Sequence, residues 1–263
     1  KVLEMGGIKV SARDKRLACE ICSRAKLPRR GAKKGAHLLR TPAAEFGEVL
    51  HLDLLEMAKS RYGRKFALVI VDDFSGWLTT IPMARKSDTT QAFKEYLDNH
   101  ALGRSPSEVI SHQIHSDNDS VFRGKAFHDL CNSRGARQTF SAPYHANGNS
   151  RAEQGVKRAK AVCYTLLQDG KLKGELWEEA MIHGVNILNR LPTSFNPNEA
   201  SPLEMLIGAQ AGRKEGLHFL DQCLPWGIEV DVLRPTPASG KRSRHGIYLG
   251  TNPRNHSARI LCE

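Results

Sequence analysis

The chain has 263 residues, 40% hydrophobic and 25% charged, enough to bury one sizeable core with smaller modules attached. Its formal net charge is +11 and no apolar run reaches transmembrane length, which excludes a helical membrane span and favours a polyanionic partner. The six cysteines show no secreted disulfide pattern, so an intracellular setting is expected.

Cys19 and Cys22 form a CxxC pair, half of the four-ligand set a tetrahedral zinc site needs. No histidine precedes Cys19, so the other half is missing from this sequence. Residues 24–40 carry seven basic side chains, among them Arg29, Arg30, Lys33 and Lys34, and no acid. Such a run is either a solvated linker or an arm that neutralises phosphates and releases counterions.

Residues 49–55 alternate as a strand and carry Asp53, while residues 66–71 (FALVIV) form a continuous apolar run suited to a strand covered on both faces. Residues 77–82 follow closely enough to complete an antiparallel meander. Ser87 or Asp88 can cap a helix to about residue 102, with Ala92, Phe93, Tyr96 and Leu97 on one face. A strand over 109–115 ends just before Asp117. A helix over about 125–134 and a short strand near 137–140 come next. Residues 141–150 (SAPYHANGNS) read as a flexible loop, and a helix carrying Glu153 follows. A second helix spans about 175–190 with Leu176, Trp177, Ala180, Ile187 and Leu188 as its apolar stripe. From about Gly212 onward, short apolar stretches (LHFL, IEVDVL, HGIYLG, ARILCE) broken by Gly, Pro and basic clusters suggest the strands of a small β module.

The order strand, strand, strand, helix, strand, helix, strand, helix places two strand aspartates and one helix glutamate where they can converge. Asp117 and Glu153 are separated by 35 residues, with Asp53 upstream. Phosphodiester chemistry can be run by two divalent ions about 3.5 to 4 Å apart, and magnesium needs few carboxylates because it keeps its waters. Spacing alone is weak support, since surface acids are common. Lys157 and Lys160 lie four and seven residues beyond Glu153 and share its helix face. They suit a phosphate-gripping surface, or an ordinary exposed Glu–Lys helix pair. Asp72 and Asp73 close a strand and read as structural, and Glu56 belongs to the opposite strand face from Asp53.

The segments CEIC at 19–22, HLDLLEM at 51–57, VDDFSGWLTTIPMARKSD at 71–88, HSDNDSVF at 115–122 and APYHANGNSRAEQ at 142–154 resemble the integrase of copia-type LTR retrotransposons, a branch of the retroviral integrase superfamily. LWEEAMIHGVNILNRLPTS, SPLEMLIG and HGIYLGT continue the likeness in the same order, so it covers nearly the whole chain. The resemblance implies an RNase H-like core, a mixed five-stranded sheet flanked by helices, over residues 46–208. Before it, residues 1–45 would be a truncated zinc-binding module of the HHCC type and a basic linker. After it, residues 209–263 would be a small C-terminal β-rich module.

The resemblance also implies the chemistry: joining of the 3′-hydroxyl ends of element cDNA to target DNA, with Asp53, Asp117 and Glu153 holding two Mg2+ or Mn2+ ions. Zn2+ would bind Cys19 and Cys22 where a histidine pair lies upstream. The chain opens at Lys1 without Met, so a larger Gag-Pol polyprotein is expected to have carried that pair, unless zinc binding has been lost. Tyr144, His145 and Asn147 would contact DNA ends from the loop over the active site, and Arg242 and Arg244 would contact phosphates from the C-terminal region. A loop that touches nothing and an ordinary charged hairpin tip are the plain alternatives. A homodimer or tetramer is implied, with a nuclear location after a cytoplasmic virus-like particle stage and no membrane partner. Asp119 stands where the family's pattern has Gly, and Val121 where it has Glu. The Asp is expected to strain the turn after Asp117 if that turn needs positive φ. This motivates the alternative of a degenerate copy that only binds nucleic acid or serves as an inert polyprotein segment. A nuclease of the same fold also stays open.

Overall fold

The computed structural model describes residues 43–99, 113–141, 149–233, 243–252 and 257–262. Three strands open the described fold: β1 (Val49–Glu56), β2 (Phe66–Asp72) and β3 (Leu78–Met83). They form an antiparallel meander, with Asp53 opposite Val69 and Val69 opposite Thr80. Helix α1 (Thr89–Asn99) follows a short 3-10 turn and leads towards β4 (Gln113–Ser116). The one-turn helix α2 (Ser120–Arg123), α3 (Lys125–Ser133) and β5 (Arg137–Phe140) complete the sheet. Its strand order is β3-β2-β1-β4-β5, with β4 parallel to both β1 and β5. A mixed five-stranded sheet flanked by helices is therefore present, as the sequence implied.

Alternation along the strands sorts their side chains onto two faces. Leu50, Leu52, Leu68, Ile70 and Ile114 meet Phe93, Tyr96 and Leu97 of α1 and Phe122, Phe127, Leu130 and Cys131 of α2 and α3. Phe127 stacks on Phe93 at 5.4 Å and meets Phe122 edge-on at 5.3 Å. Each such ring contributes roughly 1.5–3 kcal/mol by leaving water.

The other face carries Leu55, Ala67, Val69, Val71 and Leu78 beneath two long helices, α4 (Ser150–Asp169) and α5 (Trp177–Leu188). On α4 most residues in this core are small, whereas α5 brings Trp177, Met181 and Val185. Ala152, Gly155, Ala159, Cys163 and Leu167 recur at helical spacing and are all buried.

Beyond α5, Ser201 opens α6 (Pro202–Ile207) with a reciprocal capping box to Glu204, and Pro202 sits at its first position. Residues Ala209–Gln222 then form helix α7, which corrects the expectation that LHFL is a strand. The buried positions Gly212, Gly216 and Phe219 fall at helical spacing. The glycines imitate chain breakers in the sequence, yet Gly212 serves close packing: a Cβ there would lie 2.5 Å from Glu204 Cα. Phe219 is held under the Arg190 guanidinium at 4.2 Å.

Strands β6 (Glu229–Leu233), β7 (Ser243–Thr251) and β8 (Ala258–Cys262) form an antiparallel three-stranded sheet. This sheet shares the second core, where Trp226 and Leu249 join the cluster under α4 and α5. His183 of α5 stacks on Trp226 at 5.7 Å and meets Tyr248 edge-on at 6.1 Å.

Candidate active site

Asp53 lies in the middle of β1, but β4 pairs with β1 only as far as Leu52 opposite Ser116. Asp117 is the next residue after β4 ends. The two aspartates therefore stand side by side where the parallel pairing stops and the sheet opens between neighbouring strands. Leu52 belongs to the aromatic-packed core, so strand alternation gives Asp53 the other face, that of Leu55 and Val69 and of helix α4.

Two devices bring Glu153 to the same place. Asn149 precedes α4, and its side-chain amide donates to the Leu52 carbonyl at 2.8 Å, which fastens the helix start beside Asp53. The Asn149 carboxamide oxygen makes no cap bond to α4. Gly155 then lets the helix touch the sheet: a Cβ there would lie 2.4 Å from Val71 Cγ2 and 3.2 Å from Leu78 Cδ1. Between these anchors, Glu153 occupies the first turn of α4, where the helix dipole favours an acid.

The electrostatics record this convergence. Burial is the main reason the Asp53 carboxyl is pushed up to about 6, and the negative charges of Asp117, Glu153 and Asp119 push it further the same way. Only the Leu54 N–H, donating to Asp53 Oδ1 at 2.7 Å, works against them. Asp117 Oδ1 accepts from the Asp119 N–H at 3.1 Å. Hard oxygen donors that repel one another at a half-buried aspartate are the donor set a divalent cation satisfies. Among the described residues, no three His, Cys, Asp or Glu side chains stand close enough to enclose an ion. The carboxylates thus meet through their fields without forming a closed cage.

Asp119 does not strain its turn, which corrects the expectation of a required positive φ. It adopts φ −57° and ψ 141° as the N-cap of α2, its carboxylate accepting from the Val121 N–H at 3.1 Å. That bond first, and the Lys86 ammonium at 3.2 Å second, hold its carboxyl below the usual range. The position needs a cap acceptor, which Asp supplies.

Asp72 and Asp73 have the structural roles expected of them. Asp72 accepts from Gly47 N, Ser75 N and Ser75 Oγ at 2.6–2.8 Å, closing the β2–β3 turn. Asp73 accepts from Ala43 N at 3.2 Å and meets His51 Nε2 at 3.1 Å and Arg151 Nε at 3.4 Å. His51 in turn packs edge-on against His115 at 5.4 Å. This buried polar network beneath the site was not legible in the sequence, because its members come from β1, the β2–β3 turn, β4 and α4. Glu56 is exposed, away from the aspartates.

Lys157 is exposed and Lys160 half-exposed on the helix face of Glu153. Arg244 is exposed on β7, and His245 beside it lies within 3.6 Å of both Glu229 and Asp231. Cys19, Cys22, Arg29, Arg30, Lys33, Lys34, Tyr144, His145, Asn147 and Arg242 lie outside the described residues.

Comparison with known proteins bears on the same stretch. Residues 43–146 match the family model described as "Integrase core domain". The chain is 30% identical over 148 residues to the Gag-Pol polyprotein of avian reticuloendotheliosis virus, covering 56% of this chain and 12% of that polyprotein. It is 26% identical over 191 residues to the retrovirus-related Pol polyprotein from transposon RE1 of Arabidopsis thaliana, covering 71% of this chain and 12% of the relative. For the corresponding RE2 polyprotein the values are 25% over 165 residues, 62% and 11%. The chain thus spans about one eighth of the length of these relatives. A crystal structure of the catalytic core domain of BIV integrase is similar with a TM-score of 0.46 and 17% identity, covering 64% of this chain and 99% of that one. The likeness to an integrase core domain thus lies over residues 43–146, the stretch that holds Asp53 and Asp117.

Proposed function

We propose that this chain is the integrase of a copia-type retrotransposon, joining the 3′-hydroxyl ends of element cDNA to target DNA by transesterification. The observation that carries this reading is the placement of Asp53 on β1, Asp117 just past the end of neighbouring β4, and Glu153 in the first turn of the helix that Asn149 fastens to Leu52. Asp53 and Asp117 would hold Mg2+ or Mn2+ between them at the open end of the sheet, and Glu153 would complete the set from α4. Such ions, when bound, supply activation of the attacking oxygen and stabilisation of the leaving one. The chain's own part is placement. Asn149 and Gly155 fix the helix against the sheet, so the glutamate is positioned before DNA arrives.

Lys157 and Lys160 project from the Glu153 face of the helix, where they would grip phosphates of the cDNA end. The basic run with Arg29, Arg30, Lys33 and Lys34, the loop with Tyr144, His145 and Asn147, and Arg242 and Arg244 would extend contact along the backbone. Contacts of this kind position DNA without reading sequence, so target choice is largely sequence-independent. Assembly as a homodimer or tetramer, work in the nucleus after a cytoplasmic particle stage, and zinc at Cys19 and Cys22 with upstream histidines belong to the same reading. The ease with which Asp119 caps α2 supports an active enzyme over a degenerate copy.

The test is incubation of the chain with short duplexes bearing the element's terminal sequence and a target plasmid, in Mg2+ or Mn2+. Joined products that EDTA abolishes are expected. Intact DNA binding with no joined product in either metal would favour the degenerate copy, and release of fragments from any DNA would favour a nuclease.

A further inference from the structure

On the flank of α4 away from Glu153 lies a cleft that the chemistry above does not use. It is lined by Arg151, Gln154 and Arg158 of α4, and by Thr193, Ser194 and Phe195 of the segment after α5. Helical spacing puts Arg158 about 140° around the axis from Glu153, so no single groove face presents both. The cleft offers about 270 Å3 to solvent, room for a phosphate group with some of its water.

The two arginines differ. Arg151 is committed: its guanidinium stacks on the Phe195 ring at 3.7 Å, and its Nε reaches Asp73 at 3.4 Å. Arg158 is half-buried, and no hydrogen bond or ion pair holds it among the described residues. Burial alone pulls its guanidinium below the ordinary range, with no acid opposing that pull. A half-buried guanidinium without a counter-charge keeps its planar donors open to an anion. Around it stand neutral donors suited to further oxygens: the Gln154 amide and the Thr193 and Ser194 hydroxyls. A planar fork beside several neutral donors matches a multi-oxygen anion.

We propose that the Arg158 cleft is a phosphate site that holds one backbone phosphate of a nucleic acid on the flank of α4 opposite the catalytic carboxylates. The chain's net charge of +11 favours a nucleic acid over an acidic protein as the source of that anion. The site goes beyond the joining reaction and needs no divalent ion.

The experiment is done on the full chain in EDTA, where joining is silent, so its outcome is separate from that of the joining assay. Melting is followed in inorganic phosphate, and separately with an acidic peptide, against chloride of equal ionic strength, for the native chain, Arg158→Gln, Arg158→Lys and Ser194→Asp. Binding of a short duplex is measured for the same set as salt is raised. Phosphate should raise the melting temperature of the native chain, and both Arg158→Gln and Ser194→Asp should lose that response while Arg158→Lys keeps part of it. The slope of log affinity on log salt should fall by about 0.9 in the first two, the share of one phosphate contact. An unchanged phosphate response in both variants overturns the site. A lost response with an unchanged duplex slope overturns the nucleic-acid source and leaves a small phosphate ligand. Stabilisation by an acidic peptide and not by phosphate overturns the proposal in favour of a protein partner. Ser194 is exposed, so its variant keeps the test alive should Arg158→Gln fail to fold.

Discussion

The two faces of the five-stranded sheet are built to different ends. Under α1, α2 and α3 the sheet meets large rings, with Phe93, Phe122 and Phe127 fully enclosed and the Tyr96 hydroxyl a polar exception in the cluster. Under α4 it meets mainly alanine, glycine and cysteine, while Trp177, Met181 and Val185 of α5 join the same core, and buried polar groups gather nearby: His51, Asp73, Asn149, Glu178, Glu179, His183 and Asn189. Several of these are tied to backbone or to one another. Asn189 both accepts from Leu78 N–H at 2.9 Å and donates to Leu78 O at 2.8 Å, and Glu178 accepts from Ser60 Oγ and from Arg64 at 2.5 Å. The first face supplies cohesion through ring burial. On the second, the small residues of α4 set how closely that helix, and the acid in its first turn, approaches the sheet.

Substitutions can break this contrast, and the largest effect should come from the cohesive face. Phe127→Ala should cost about 3–5 kcal/mol in denaturant unfolding, while joining by the folded fraction stays near native. A loss of joining well beyond the loss of folded protein would show that the two faces are not separable in this way.

On the other face, the acid limb of stability should report His183. Burial drives its imidazole down to about 4 from 6.5, so the unfolded chain takes up the proton first. The stabilisation from the neutral ring is complete above about pH 6.5 and is lost as pH falls through 4, amounting to about 3 kcal/mol. His183→Leu should flatten that limb in melting curves taken between those values; an unchanged slope would mean the ring is not the group titrating.

Gly155→Ala sharpens the comparison further. Alanine in a helix interior ordinarily gains about 1 kcal/mol over glycine. Here the added Cβ would lie 2.4 Å from Val71, so a net loss of about 1–3 kcal/mol is expected, with joining reduced more than stability as Glu153 is displaced. A stabilised and fully active variant would remove the argument for close approach. Smallest in stability is Lys160→Ala, within about 0.5 kcal/mol, as for most surface substitutions. Its effect should appear instead as weaker DNA binding with a salt slope lower by about 0.9; unchanged binding and slope would exclude Lys160 from the phosphate-gripping face.

What could be read in advance follows the range of the forces involved. The alternation around Asp53, the apolar run of β2 and the stripe of α1 are local patterns, and the elements formed where those patterns lie. Asp72 and Asp73 were legible as structural because a strand-end aspartate commonly serves a turn, and Asp72 does so. The bond from Asn149 to the Leu52 carbonyl spans 97 positions, and nothing local marks that asparagine as an anchor. The small residues along α4 acquire meaning only once Val71 and Leu78 are seen opposite them. At residues 217–220 the pattern misled: glycines looked like breaks between strands, whereas they are the contact surface of a helix. Asp119 misled in the opposite sense, since a residue in place of glycine suggested strain where the chain uses a cap.

The most direct measurement is strand joining in Mg2+ and in Mn2+ by the native chain, Asp53→Asn, Asp117→Asn and Glu153→Gln, with DNA binding measured in parallel. One shared metal site predicts joining by the native chain, a loss of at least about a thousandfold in each variant, and retained DNA binding in all four, because each change removes an acid and no phosphate contact. Near-native joining by any one of the three variants would contradict the assignment of that carboxylate, and with it the convergence on Asp53 as the basis of the chemistry.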